Sequence, residues 1–346
     1  MGSSASTQSS PEPQKLRTVR TAPGQIISLS DATPETPTPV LVPNEFRALR
    51  LSSIKQLNHN LKLFRFNFPD ETAQLPKGDA ACFYFVQALV GDGDDNDSDE
   101  RTTIMRPYTP VSPIDARGYL TLMVKIYAKP YGKMGNHLAS LAIGDTVNFR
   151  GPIPKVEYRA GMYDHVVMLA GGSGITPMYQ MLQTIWGDPN DTTRCTLLFS
   201  VSEVRDVVLR DELQALQAQR PHQLKIVYTV SRPPPASTTR DETTGENAGD
   251  DGTGNATPAS SAATEELAAG LDTGRIDEEK LRKYDVTPDS DVLAGSKPLV
   301  LVCGPPGFTA ALAGPKLMEP GKRPQQGELL GHLKALGFTA DQVYKF

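Results

Sequence analysis

VVMLAGGSGITPMYQMLQTI, residues 166–185, decides the fold. Its first seven residues form a short apolar run that ends in glycines, the pattern of a strand buried on both faces. Thr176 then stands as a helix N-cap with Pro177 at the first helical position, and Met178, Met181, Leu182 and Ile185 recur at helical spacing. Strand, glycine turn and helix make one unit of a parallel sheet. The same alternation continues downstream through TLLFSVS (196–202), a stripe of Leu209, Leu213 and Leu216, LKIVYTV (224–230) and PLVLVCG (298–304). A helix over ELLGHLKAL (328–336) and a last strand in QVYKF (342–346) complete it. Residues 160–346 are thus expected to form an α/β domain with a parallel sheet and crossover helices.

Upstream the period changes. In YLTLMVKIY (119–127), Leu120, Leu122, Val124 and Ile126 alternate with Tyr119, Thr121, Met123, Lys125 and Tyr127, which predicts a half-buried strand. Short strands punctuated by Gly, Pro and Asp fill residues 44–159 and predict an antiparallel β-barrel, with ordered sequence starting near Phe46. Residues 1–43, rich in Ser, Thr, Pro and Gln, read as a disordered tail. The expected architecture is therefore two-domain, β followed by α/β, within 346 residues.

Net charge is −5, but it is unevenly placed. Residues 92–100 (DGDDNDSDE) carry six acids and no base, and residues 233–270 carry seven acids and one base. The first reads as an acidic loop and the second as a disordered insertion. Without these two tracts, each worth −6, the remainder is +7 and favours an acidic partner. No Lys/Arg run or recognition motif points to nucleic acid. No apolar run approaches the ~18–20 residues of a membrane span, and residues 1–20 hold no secretory apolar core. Cys82, Cys195 and Cys303 form no CxxC pair, so neither a metal site nor a disulfide framework is expected, and a reducing compartment fits.

Four segments carry candidate chemistry. In RPYTPVS (106–112), Pro107 and Pro110 keep the backbone extended, so Arg106 and Tyr108 share one face and Thr109 takes the other. A guanidinium fork suits a pyrophosphate and a phenol ring suits a flat heterocycle, although an isolated RxYT is more often a surface arginine in a turn. In YGKMGNHL (131–138), Gly132 and Gly135 permit close backbone approach before a helix whose amides face an anion; the plain alternative is a glycine turn. AGGSGITP (170–177) sits where phosphate-binding turns occur and points to a dinucleotide. It lacks the third glycine of GxGxxG, because Pro177 stands there, and Ser173 is not in a GxSxG elbow. CGPPGF (303–308) ends a strand of the same sheet, so Cys303 and the Gly172–Thr176 turn should share one crevice; a merely buried Cys303 is the plain reading.

In this order, RPYTPVS, GKM (132–134), GDTVNFRGP (144–152), AGGSGITPM (170–178), VVLRDEL (207–213) and CGPP (303–306) resemble the ferredoxin–NADP reductase superfamily. The closer likeness is to the NADH–cytochrome b5 reductases, and residues 325–346 resemble their fungal and mitochondrial outer-membrane branch. The resemblance spans about residues 46–231 and 271–346. It implies an FAD-binding barrel followed by an NADH-binding α/β domain. Arg106 then meets the FAD pyrophosphate, Pro107, Tyr108 and Thr109 lie against the flavin, and Lys125 and Tyr127 face the cofactors. Gly132, Lys133, Met134 and Gly135 form the loop that holds FAD phosphate. Gly172, Gly174, Thr176, Pro177, Cys303, Gly304, Pro305 and Pro306 form the nicotinamide cradle, and Phe346 lies near the flavin. Thr109, Thr176 and Cys303 are the implied catalytic residues, with Cys303 orienting the nicotinamide.

The chain departs from the family at Gly135, where relatives carry Ser or Thr, which removes one hydroxyl from the FAD phosphate. Asp272 aligns with a family carboxylate that disfavours a 2′-phosphate and so implies NADH; Arg205, after the second strand, would instead suit NADPH. The implied activity is hydride transfer from NADH to FAD and single-electron delivery to cytochrome b5 or a similar haem protein. Two alternatives stay open: an NADH diaphorase serving a quinone or another haem protein, and a flavin-fold interaction protein without turnover. Met1-Gly2-Ser3-Ser4-Ala5-Ser6 fits an N-myristoylation signal, beside a plain N-terminal tail as the alternative. The expected location is the cytosolic face of the endoplasmic reticulum or mitochondrial outer membrane, or the cytoplasm if unanchored, and the expected state is a monomer.

Overall fold

The computed structural model describes residues 19–21, 25–27, 39–75, 80–91, 101–232, 271–290, 292–319 and 324–346. The Gly2 signal and both acidic tracts, 92–100 and 233–270, lie outside the described residues. The chain divides into two units, Met1–Thr38 and Pro39–Phe346. In the first, β1 (Val19–Thr21) pairs antiparallel with β2 (Gln25–Ile27), so the expected tail contains a strand pair. The barrel also begins earlier than residue 44, because Leu41 is buried in its core.

The second unit opens with a six-stranded antiparallel sheet of β3 (Arg47–Gln56), β4 (Leu61–Asn67), β5 (Ala80–Gly91), β6 (Arg101–Tyr108), β7 (Tyr119–Lys125) and β8 (Thr146–Glu157). The strand order is β6-β5-β8-β3-β4-β7. Period-2 alternation sends Leu49, Leu51, Phe64, Phe66, Tyr84, Val86, Leu120, Leu122, Val147 and Phe149 into one core. Phe66 and Phe149 meet edge to face there, 4.8 Å apart. The sheet curls without closing: β6 and β7 are its edges and do not pair with each other. Helix α1 (Lys133–Ser140) plugs the curl with Met134 and Leu138. The predicted strand over 119–127 stops at Lys125, and Met123 is buried as well as its neighbours because its outward face meets the α/β core.

The α/β part is a parallel sheet of β9 (His165–Gly171), β10 (Arg194–Val201), β11 (Leu224–Val230), β12 (Asp272–Thr273), β13 (Pro298–Cys303) and β14 (Val343–Lys345). Its order is β12-β11-β10-β9-β13-β14. Helices α2 (Ile175–Trp186) and α3 (Arg210–Gln219) cover one face, over Val166, Met168, Leu197 and Phe199. Helices α4 (Glu278–Lys283), α5 (Pro306–Ala313) and α6 (Gly331–Ala335) cover the other, over Val167, Leu169, Val300 and Val302. Burial on both faces explains the unbroken apolar run of β9. The helix predicted over 328–336 shrinks to α6 because Gly331 takes φ 68, and a Cβ there would strike the Ala311 carbonyl. Strand order turns back between β9 and β13, which sets a crevice at their carboxyl ends.

The two sheets share apolar packing. Leu61, Val111 and Met123 of the barrel belong to the core cluster of β9, β10 and α2. Polar contacts run alongside: the Asn58 amide donates to the Arg205 carbonyl (3.1 Å), and the Cys82 N–H donates to Gln180 Oε1 (2.9 Å).

Candidate functional site

The unpaired edges of the barrel make the first half of the site. Arg106 and Tyr108 on β6 stand opposite Val86 and Tyr84 of β5, so both lie on the inward face, as the extended RPYT run predicts. Arg106 is exposed, its Nη1 donating to the Met105 carbonyl at 2.9 Å. Pro107 holds the strand, and Thr109 follows its end, half-buried. Burial pushes the Tyr108 phenol up to about 12, with Arg106 pulling it down and Tyr127 pushing it further up. On the other edge the Lys125 ammonium lies 5.8 Å from the centre of the Tyr127 ring. Tyr127 itself is 48% exposed and free to cover a ligand.

Helix α1 closes this slot. Its N-cap, Gly132, takes φ 68, and a Cβ there would stand 3.0 Å from Tyr127 Cβ. No side chain caps the helix and no acid occupies its first turn, so its amide end suits an anion. Lys133 is exposed beside that end, whereas the Met134 side chain is buried in the barrel core and leaves only its backbone to a ligand. At Gly135, where relatives carry Ser or Thr, a Cβ would stand 3.0 Å from the Lys125 carbonyl, so a side chain there would need that carbonyl to shift by a few tenths of an ångström. A flat ring between β6 and β7, a pyrophosphate between Arg106 and α1, and glycines where a Cβ would fill the cradle all fit FAD.

The second half is the β9–β13 crevice. A Cβ on Gly171 would meet the Phe308 ring at 3.0 Å, and one on Gly304 would meet it at 2.5 Å and Gly171 Cα at 3.1 Å. A Cβ on Gly174 would land on the Cys303 carbonyl, 2.8 Å from the Gly304 nitrogen. The glycine turn and the end of β13 thus touch backbone to backbone. Gly172 differs: it takes φ 54 with nothing within 4 Å, so it serves the turn and not the contact. The expected helix start is corrected here. A 3-10 turn, Gly172–Gly174, runs directly into α2 at Ile175, and Gly174 is the N-cap. Thr176 and Pro177 lie inside the first turn, buried, with Thr176 Oγ1 donating to the Ser173 carbonyl at 3.3 Å.

Cys303 sits at the mouth, partly exposed as a residue. Burial pushes its thiol up to about 12 against the pull of Lys316, so it is a neutral group and no nucleophile at neutral pH. Pro305 and Pro306 start α5 at the outer lip. The Phe346 N–H donates to the Val302 carbonyl at 2.9 Å, which sets the chain end beside Cys303. The two halves meet because β7 packs against the Gly172–Gly174 turn.

Asp272 is not part of this convergence. Its carboxylate meets Lys280 and Lys283 at 3.1 Å each and accepts from the Tyr284 hydroxyl at 2.7 Å. Burial opposes its ionisation, but these donors, with the Thr273 N–H, hold it well below the usual carboxylate range. It anchors α4 to β12. Sequence reading missed Phe308 and Gly171, whose pairing across β9 and β13 has no local signature. It also passed over Glu203, which meets Arg205 at 2.7 Å beyond β10.

An open barrel with a flavin slot, joined to a parallel sheet with a nicotinamide crevice, defines a two-domain flavin–nicotinamide oxidoreductase. Comparisons with known proteins agree. Residues 48–158 match the model of the oxidoreductase FAD-binding domain, and residues 168–251 that of the oxidoreductase NAD-binding domain. The chain is 37% identical over 298 residues to NADH-cytochrome b5 reductase 2 of Coccidioides immitis, covering 86% of this chain and 76% of that one. It is 35% identical over 329 residues to the NADH-cytochrome b5 reductase-like protein of Arabidopsis thaliana, covering 94% and 84%. Among solved structures, the cytochrome b5 reductase domain of Ulva prolifera nitrate reductase superposes with a TM-score of 0.65 at 25% identity, over 89% of this chain and all of that one. The chain belongs to the NADH–cytochrome b5 reductase family.

Proposed function

We propose that the chain is an FAD-dependent reductase that takes hydride from NADH and passes electrons singly to cytochrome b5. The contact of β7 with the Gly172–Gly174 turn carries this reading, because a ring held in the slot and a ring held in the crevice would meet across it. Bound FAD supplies the coupling of a two-electron donor to a one-electron acceptor. The chain's own residues bind, orient and shield. Arg106 and the amide end of α1 hold phosphate charge, and Tyr108 covers a ring face. Thr109, just after β6, and Thr176, in the first turn of α2, are the hydroxyls this reading assigns to that contact. Gly171 and Gly304 let the crevice close on Phe308, and Gly174 lets the turn approach the Cys303–Gly304 backbone. The neutral Cys303 thiol orients the nicotinamide without attacking it.

The positive balance of the body, +7 outside the two acidic tracts, suits an acidic haem protein. Among the described residues no helix is long and apolar enough to cross a membrane. Attachment to the cytosolic face of the endoplasmic reticulum or the mitochondrial outer membrane, through an acylated Gly2, is part of the proposal and is supported by the Met1–Ser6 pattern. The test is NADH-driven reduction of purified cytochrome b5, followed at the haem band, with ferricyanide as a parallel acceptor. Reduction of both, slowing as salt rises, is expected. Ferricyanide reduction without cytochrome b5 reduction would overturn the named acceptor.

A further inference from the structure

The carboxyl end of β10 carries a charge cluster that the activity above leaves unused. After Val201 the chain enters a 3-10 turn, Val204–Asp206, with Glu203 at its N-cap. The Glu203 carboxylate caps the backbone at Asp206, and Asp206 Oδ2 accepts from the Glu203 N–H at 3.2 Å. The same carboxylate meets Arg205 Nε at 2.7 Å and Arg232 Nη1 at 3.6 Å. Arg232 is delivered by the strand beside it: the Ser231 N–H donates to the Val201 carbonyl and the Arg232 N–H to that of Ser202. Both guanidinium side chains are open to solvent, at 61% and 75%, while Glu203 is 33% exposed.

The position gives the cluster its meaning. The nicotinamide crevice lies between β9 and β13, so the rest of a dinucleotide runs the other way, across the end of β10. There the far ribose arrives, and its 2′ substituent is the difference between NADH and NADPH. A carboxylate at that place favours a 2′-hydroxyl, and arginines favour a 2′-phosphate. Asp272, the carboxylate that the family likeness offers for this task, is already engaged by Lys280, Lys283 and Tyr284. Arg205 and Arg232 together would make a phosphate trap.

We infer that Glu203 is the specificity-determining residue for the nucleotide's 2′ position, because it engages Arg205 and Arg232 and sets a negative charge where a 2′-phosphate would lie. This rests on the proposed use of NADH at the β9–β13 crevice. Removing one charge a few ångströms from a phosphate at the protein surface is worth about tenfold in affinity.

The test is Glu203→Gln in the FAD-loaded protein. Glutamine keeps an acceptor for the Asp206 amide, so the turn is retained while the charge is lost. The ratio of kcat/KM for NADH over NADPH should fall by about tenfold, with the NADPH gain in KM and not in kcat. Inhibition by 2′,5′-ADP should strengthen by a similar factor relative to 5′-ADP. Adding Arg205→Ala and Arg232→Ala should abolish both gains, and so should high salt. The double variant Arg205→Ala/Arg232→Ala, with Glu203 kept, should reject NADPH more strongly than the natural chain. An unchanged NADH/NADPH ratio in Glu203→Gln, with 2′,5′-ADP inhibition unmoved, would overturn this inference alone. Natural protein whose flavin is not reduced by NADH would overturn both this inference and the proposed function.

Discussion

Replacing Gly174 with alanine tests the crevice by one methyl group. Gly174 has φ −64 and ψ −4, which any residue adopts, so the substitution brings no backbone strain. The whole effect is steric. The new Cβ would lie 2.5 Å from the Cys303 carbonyl carbon and 2.8 Å from the Gly304 nitrogen. Carbon contacts begin near ~3.5 Å, so the turn and the end of β13 must part by about 1 Å. Neither can swing away freely, because β13 is paired to β9 on one side and β14 on the other. Overpacking of this kind costs about 1–3 kcal/mol, and a ~1 Å misplacement at a reacting centre costs about a hundredfold in rate. The assay is anaerobic rapid mixing with NADH, followed by bleaching of the flavin band. Flavin content should stay stoichiometric, because the atoms the new Cβ meets belong to Cys303 and Gly304 and to no residue of the slot. Gly172→Ala is the contrast: it meets nothing within 4 Å but takes φ 54, so it should cost about 1 kcal/mol of stability and less than tenfold in rate. Flavin reduction at the natural rate in Gly174→Ala would refute the closed-crevice argument.

Three further outcomes follow from particular contacts. Arg106→Ala should purify with little FAD, since it removes the exposed guanidinium that β6 sets opposite Val86 on the slot face, and a full flavin-to-protein ratio would count against the slot. His165 is buried with Nε2 2.9 Å from Thr196 Oγ1, and burial foremost, then Arg194 and Lys225, hold it down to about 4. A folded value below the ordinary 6.5 means its stabilisation is complete above about pH 6.5 and is lost as pH falls toward 4, up to about 3 kcal/mol; His165→Asn should flatten that part of the stability profile in urea titrations. Lys345 is 2% exposed and its ammonium donates to the carbonyls of Ala313, Pro315 and Glu328. Lys345→Met should cost about 2–4 kcal/mol in chemical denaturation, and an unchanged midpoint would show that water replaces the ammonium.

The sheets were legible because their residues answer to one period each. Unbroken apolar runs mark β9, β10 and β13, and alternation marks β7, so strand type and order of domains follow from the sequence. What escaped depends on partners distant along the chain. Met123 reads as an outward residue of β7, yet it is buried, because its outer neighbours arrive from β9 and α2 some 45 residues later. Thr176 has the chemistry of an N-cap, but the 3-10 turn extends the helical path backward and moves the cap to Gly174, where a side chain would not fit. Asp272 stands out by its resemblance to a family carboxylate, and its ion pairs with Lys280 and Lys283, from the first and second turns of α4, have no signal in the sequence around it. Arg232 joins Glu203 only because β11 runs beside β10.

Met123 and Thr176, two of these misses, lie where the two sheets and their helices meet. The slot belongs to the barrel and the crevice to the parallel sheet. Their spacing is fixed by apolar packing: Leu61, Val111 and Met123 insert among Val166, Met168 and Ile175, the last of which begins the helix that the glycine turn feeds. Met123 and Lys125 lie two residues apart on β7, so one strand carries both the seam and the slot wall. A change of side-chain volume at Met123 would therefore be felt at the slot and at the glycine turn together. The spacing of slot and crevice is a property of this shared core more than of any single residue that lines either one.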